Sequence, residues 1–242
     1  MSDLPSESER RLRAALRAFL SHGVWLTIVF EMTVAMLPHL DVGGWGNLRF
    51  ALLGLFAALA IYLQAGTMLA LARGREVVGI PEVLANGKDV FPRFVWLLLK
   101  AAFLFIVFLN VVLLLLNSLG AIQIEDQDAA PTVAGLITGV IVPTKFVLAY
   151  WLPWVFAHQD FRLLPTLQAA LRMAWARLPR AGLFLAALLL IPGAVLVGLP
   201  REAPLFVMSA AMLVAVVLDW VAFSYCVDVA RAAPARQGPE NP

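Results

Sequence analysis

Six stretches of predominantly apolar residues dominate the chain, at 21–39, 49–73, 94–118, 133–157, 181–199 and 204–227. About 20 such residues are what an α-helix needs to cross the hydrocarbon core of a bilayer. Composition points the same way. Hydrophobic residues make up 62% of the 242 and charged residues 14%, whereas a soluble domain averages about 45–50% and about 25%. The expected fold is all-α: a polytopic membrane bundle of six transmembrane helices. The fifth stretch is short and contains Pro192.

The links between the stretches alternate in charge. Arg10, Arg11, Arg13 and Arg17 precede the first; Arg75, Lys88 and Arg93 follow the second; Arg162, Arg172, Arg177 and Arg180 follow the fourth; Arg231 and Arg236 follow the last. The intervening links are poor in basic residues, and 120–132 carries Glu125, Asp126 and Asp128 with no cation. Basic links stay on the cytoplasmic side, so both termini are expected inside, which requires an even number of spans. Abundant Arg, Ala and Leu beside scarce Lys point to a bacterial chain. The expected location is then the inner membrane.

Two segments read as amphipathic helices in the cytoplasmic interface. In residues 1–20, Ser6 and Glu9 have capping-box spacing, and Leu12, Ala15, Leu16, Phe19 and Leu20 share a face opposite the arginines. The apolar run that follows is too long for a signal peptide, contains Glu31 and has no small-residue cleavage site. In 158–180, Leu164, Leu167, Leu171 and Trp175 form one stripe, with Arg162, Arg172 and Arg177 mostly off it. Headgroups of anionic lipids are the expected contacts of Arg10, Arg11, Arg13, Arg17, Arg172, Arg177 and Arg180. The domain plan is an N-terminal helix (1–20), a membrane domain (21–230) and a disordered tail (231–242).

Two parts of the membrane domain resemble each other. From 80 and from 164 the chain runs apolar-Pro, an interfacial segment, and then an apolar-Pro-Arg triplet opening a span: Phe91-Pro92-Arg93 and Leu178-Pro179-Arg180. The expected repeat unit is span, interfacial helix, span, over 49–118 and 133–199. Together with Ala170-Leu171-Arg172-Met173-Ala174-Trp175, this pattern resembles a broad family of bacterial six-span membrane proteins. That family includes the membrane domain fused to some glycerophosphodiester phosphodiesterases. The soluble phosphodiesterase domain has no counterpart in this sequence, so the resemblance implies a fold and not that activity.

Ionisable residues inside spans are costly and usually face protein or water. Glu31, Lys145 and Asp219 lie about 16, 18 and 13 Å from the cytoplasmic ends of their spans, at 1.5 Å per residue. Gln64 falls at a comparable depth. These residues are expected to form one polar cluster at one level, with Lys145 paired to Glu31 or Asp219, and Pro143 loosening the helix beside it. Lys100, at about 9 Å, can snorkel to the surface. Gly135 and Gly139 have the G-x-x-x-G spacing of close helix packing.

Nothing in the chain carries hydrolytic, nucleotide or metal chemistry. Phosphate-loop and zinc-protease spacings are absent, Cys226 is the sole cysteine, and His22, His39 and His158 lie far apart. The chain is therefore expected to be non-enzymatic, with no cofactor, no metal and no nucleic-acid partner. Its expected partners are membrane lipids and other membrane-protein subunits. It would be a subunit or scaffold of an envelope complex or an accessory to lipid or solute movement; the alternative is a small secondary transporter or lipid permease using the Glu31, Lys145, Asp219 and Gln64 level.

Overall fold

A computed structural model describes residues 6–37, 46–118, 130–198 and 204–233; the side chains of 46, 47, 49, 130–143 and 191–198 lie outside the description. The described chain is a bundle of seven α-helices: α1 (Glu7–Leu20), α2 (His22–Met36), α3 (Gly46–Ala72), α4 (Ile80–Ser118), α5 (Ala130–His158), α6 (Leu163–Gly198) and α7 (Leu205–Ala232). Four stretches are long and apolar enough to cross a membrane: Phe50–Ala72, Ile80–Ser118, Leu163–Leu190 and Leu205–Ala232. A fifth results if α1 and α2, which meet at 70°, count as one broken span. On its own α2 has 15 residues, about 22 Å of helix, which is short of a core about 30 Å thick. The last residues of the first expected span, and the tail beyond Ala233, lie outside the described residues.

The Pro-Arg triplets do not open new helices. α4 runs for 39 residues with Pro92 inside it, and α6 for 36 residues through Pro179 and Pro192. At 1.5 Å per residue these helices are about 58 and 54 Å long, so each joins the expected interfacial segment to its span as one rod. An internal proline removes one backbone hydrogen bond. Packing offsets that loss in α4, where Val83, Val90, Phe94 and Leu97 bury one face on both sides of Pro92. α5 likewise continues through Pro143.

α3 ends on Gly74, whose φ of +83° is the left-handed C-cap conformation glycine adopts freely. The Gly74 N–H donates to the Leu71 carbonyl and the Arg75 N–H to the Ala70 carbonyl. α5 ends similarly: Gln159 has φ +50°, and the next N–H, of Asp160, donates to the Val155 carbonyl. Each hairpin is closed by an aromatic donor of its first helix on the start of its second. The Tyr62 hydroxyl donates to the Leu84 carbonyl at 2.5 Å, and Trp151 Nε1 to Thr166 Oγ1 at 2.8 Å.

Buried side chains concentrate where the basic links gather. There α3 (Leu63 to Ala72), α5 (Tyr150, Trp151, Val155, Phe156) and α7 (Trp220 to Val227) interdigitate. Phe156 stacks edge-on against Phe94, Phe161 and Phe223. Among the described residues of the opposite half, Phe103, Leu114 and Phe206 all stand exposed. The link between α3 and α4 plugs the α1–α2 bend: the Val78 N–H donates to buried Ser21 Oγ at 3.0 Å, and the Gly23 N–H to the Val78 carbonyl at 2.9 Å.

Close approach of α3 and α4 requires Gly66. A Cβ there would collide with the Val83 carbonyl oxygen, a backbone atom that cannot step aside. The Gly135–Gly139 pattern lies on α5, and its packing is outside the described residues. Gly66→Ala is expected to cost about 1–3 kcal/mol through overpacking. Gly54→Ala, where a Cβ meets nothing within 4 Å, should be neutral or slightly stabilising. Thermal unfolding of the two variants in detergent checks the contrast; equal midpoints would refute it.

Candidate functional site: an intramembrane polar level and a charged helix dock

The expected polar cluster forms as two adjacent pairings that share α7. Lys145 Nζ on α5 donates to Asp219 Oδ1 on α7 at 3.1 Å and lies 3.1 Å from Oδ2 of the same carboxylate. Glu31 on α2 accepts from Gln64 Nε2 on α3 at 2.6 Å and from Trp220 Nε1 on α7 at 3.3 Å. Consecutive residues of α7 thus serve the two carboxylates, Asp219 as an acid and Trp220 as a donor. Lys145 bonds Asp219 and not Glu31. The sequence reading missed Trp220, because an indole in an apolar run looks like packing; its neighbour Asp219 was the available signal.

The ion pair is not sealed. Lys145 and Asp219 keep 37% and 39% of their side-chain surface exposed. They line a cavity of about 190 Å³ whose other walls are apolar: Met68, Leu148, Ala149, Leu152, Leu189, Ala222 and Phe223. A larger groove of about 520 Å³ lies beyond Leu148, between α4, α5 and α6, and holds almost no polar surface. Lys100 stands apart from this level. Its ammonium lies 5.0 Å over the Trp96 ring, one turn back along α4, which is the direction in which it would snorkel.

At the basic end, α1 turns arginines expected at headgroups onto the protein. Its capping box is present: Ser6 Oγ accepts from the Glu9 N–H, and Glu9 accepts from the Ser6 N–H at 2.7 Å. The charged face points into the protein. Arg17, only 5% exposed, donates to Asp228 Oδ1 at 2.7 Å, and Asp228 is 11% exposed. Glu7 accepts from the Tyr225 hydroxyl and pairs with Arg10 at 3.0 Å. Arg11 donates to the Arg180 carbonyl and lies 4.6 Å over the Phe184 ring. Leu12, Leu16, Phe19 and Leu20 face outward.

Arg17 is therefore no headgroup contact, and Arg10 and Arg11 are engaged within the chain. The physical reason is the short, acid-bearing end of α7, which offers Asp228 and Tyr225 at the level where α1 crosses. Arg13, Arg172 and Arg180 have exposed side chains, and Arg177 is half-buried. The stripe Leu164, Leu171 and Trp175 of α6 faces outward too, with Leu167 half-buried. In the link before it, the Arg162 guanidinium holds the Asp160 carboxyl below the usual range through hydrogen bonds at 2.9 Å.

Among the described residues no three His, Cys, Asp or Glu side chains gather as metal ligands. The chain matches no protein-family model, no curated protein and no solved structure.

Both ion pairs can be tested by double-mutant cycles. Lys145→Met leaves Asp219 without its cation. The expected loss is about 1–3 kcal/mol, below the roughly 3–5 of a sealed pair because both side chains are more than a third exposed. Lys145→Met with Asp219→Leu should recover most of it. Arg17→Met should cost on the order of 3 kcal/mol and make α1 sensitive to protease, and adding Asp228→Leu should restore part of the midpoint. If either single variant unfolds at the wild-type midpoint, that pair does not hold the bundle.

Proposed function

We propose that the chain is a non-enzymatic six-span protein of the bacterial inner membrane, with both termini cytoplasmic, acting as a subunit or scaffold of an envelope complex. The observation that carries this reading is the pairing of the polar level. Asp219 takes up the Lys145 ammonium with both oxygens, and Gln64 and Trp220 each satisfy one oxygen of Glu31. A charge spent on a neighbouring helix holds helices in register and is not offered to a solute. The long exposed flank of α4 supports the same reading, since a bundle that works by assembly has to present a lateral face.

Six spans follow if α2 and α5 both cross with α3, α4, α6 and α7. Both termini then lie on the side of the basic links. The two matching hairpins, α3–α4 and α5–α6, support a duplication within 49–118 and 133–199. They also fit the resemblance to the six-span family of the phosphodiesterase-fused membrane domains. Lipids would meet the exposed stripes of α1 and α6, with Arg13 and Arg172 at headgroup level.

A second reading rests on the cavity beside Lys145 and Asp219. A secondary transporter or lipid permease needs solvent to reach such a pair from one side. Ala149→Cys places a thiol on the cavity wall, while the native Cys226 is fully buried. The scaffold reading expects this thiol to resist a membrane-impermeant maleimide in intact cells and in inverted vesicles. It also expects native purification to recover the same partner proteins with wild type and lose them when the bundle is destabilised. Labelling of Ala149→Cys from one side, abolished by pre-treatment from that side alone, would favour transport.

A further inference from the structure

α4 leaves the bundle as a nearly bare rod. Beyond Leu97, the half-buried positions Ala101, Phe105, Leu109, Val112 and Leu116 face the bundle. Turned away from them are Leu99, Phe103, Ile106, Asn110 and Asn117, all exposed. Phe103, Asn110 and Asn117 recur at intervals of seven, with Leu99 four residues before the first and Ile106 between the first two, which is the a/d spacing of a helix–helix seam; Leu113, the remaining seam position, is half-buried. This seam is separate from the groove on the α5–α6 side, which uses Ala101, Leu104, Phe105 and Phe108.

Two carboxamides on a lipid-facing stripe conflict with every other residue there. Asn110 lies about 24 Å along the span from Phe94, inside a core about 30 Å thick, and Asn117, at about 35 Å, lies at its far edge. It donates one amide N–H back to the Ile106 carbonyl of its own helix at 2.8 Å. Among the described residues it has no partner on another helix. An acyl chain offers an amide nothing, whereas Asn side chains bond across helices in membranes. A carboxamide is donor and acceptor at once, so it is complementary to a copy of itself. A second identical chain in the same orientation brings Asn110 opposite Asn110 and Asn117 opposite Asn117 at matching depth, which is an isologous two-fold contact.

We infer that this chain forms a homodimer along α4, with the Phe103–Asn110–Asn117 stripe as its seam and the two asparagines fixing the register. The inference rests on α4 spanning the membrane and not on the role of Lys145 and Asp219, so it stands or falls separately from the scaffold reading.

The test uses the full chain reconstituted in phosphatidylethanolamine–phosphatidylglycerol vesicles, with donor and acceptor dyes at a surface loop. Energy transfer is followed as the protein is diluted into lipid. Wild type should give a dimer isotherm. Asn110→Leu with Asn117→Leu should shift its midpoint about threefold to twentyfold toward monomer. Those substitutions raise hydropathy and fall at exposed positions, so an unchanged thermal midpoint separates lost pairing from lost folding. Phe103→Cys should oxidise to a covalent dimer, while Leu104→Cys, a third of a turn away, should not. Three results would each overturn the inference: a monomer at every dilution, which leaves the stripe to lipid or a different protein; an unshifted isotherm for the leucine variant; or equal cross-linking at 103 and 104.

Discussion

The ion pair between Arg17 and Asp228 organises the basic end of the molecule. It joins the last turn of α1 to the last turn of α7, 211 residues apart in sequence. Arg231 lies 4.0 Å from the same carboxylate, and its guanidinium occupies the space that a side chain at Gly74 would need. One buried carboxylate therefore collects α1, the tail of α7 and, through Arg231, the end of α3. Around it the Glu7–Tyr225 hydrogen bond and the Arg11–Phe184 contact add α6. In water these charges would prefer hydration. At the edge of a membrane, docking them on protein lets the other face of α1 meet lipid.

That inversion explains the shape of the packing. A helix with a charged and an apolar face has two ways to lie on a membrane protein. Burying the apolar face would expose arginines to the acyl boundary, while burying the charged face presents Leu12, Leu16, Phe19 and Leu20 to it. The second is cheaper once Asp228 and Tyr225 supply partners. The first half of α6 follows the same logic, with small residues Ala170, Ala174 and Ala181 against the bundle and Leu171 and Trp175 outside. Helix association in lipid depends on packing and polar contacts more than on apolar burial. Among the described residues, the tight half of the bundle is accordingly where buried small residues and interhelix hydrogen bonds concentrate.

Much of the helical architecture was legible as runs of apolar residues. Each expected span coincides with a helix or part of one, and the Ser6–Glu9 capping box sits where its spacing placed it. The joining of interfacial segments to spans was not legible. Pro92 and Pro179 read as helix starts because local propensity disfavours an internal proline, but packing against α3 and α7 decides the matter. At the polar level, depth brought Lys145 and Asp219 to one height, and Gln64 with Glu31. It could not assign partners, because helix depth carries no information about which face a residue occupies. Asn110 drew no attention for a related reason: Gln64 shares the depth of Glu31, Lys145 and Asp219, whereas Asn110 stands at no level with an ionisable residue and its sequence position does not say which face it occupies.

The Lys145–Asp219 pair raises the question of why two leucines would not serve. Replacing a buried ion pair by apolar side chains is often neutral for stability. Between membrane helices, however, leucines pack against lipid about as well as against each other. α5 and α7 could then slide or rotate without penalty. A bidentate lysine–aspartate contact has one good register, and Trp220, the next residue on α7, transmits that register to Glu31 and through Gln64 to α3. Four helices are thereby locked at one depth by two carboxylates and three donors. The exposed amides of α4 apply the same principle outside the bundle: where apolar surface cannot discriminate among neighbours, a few polar groups at fixed depth can.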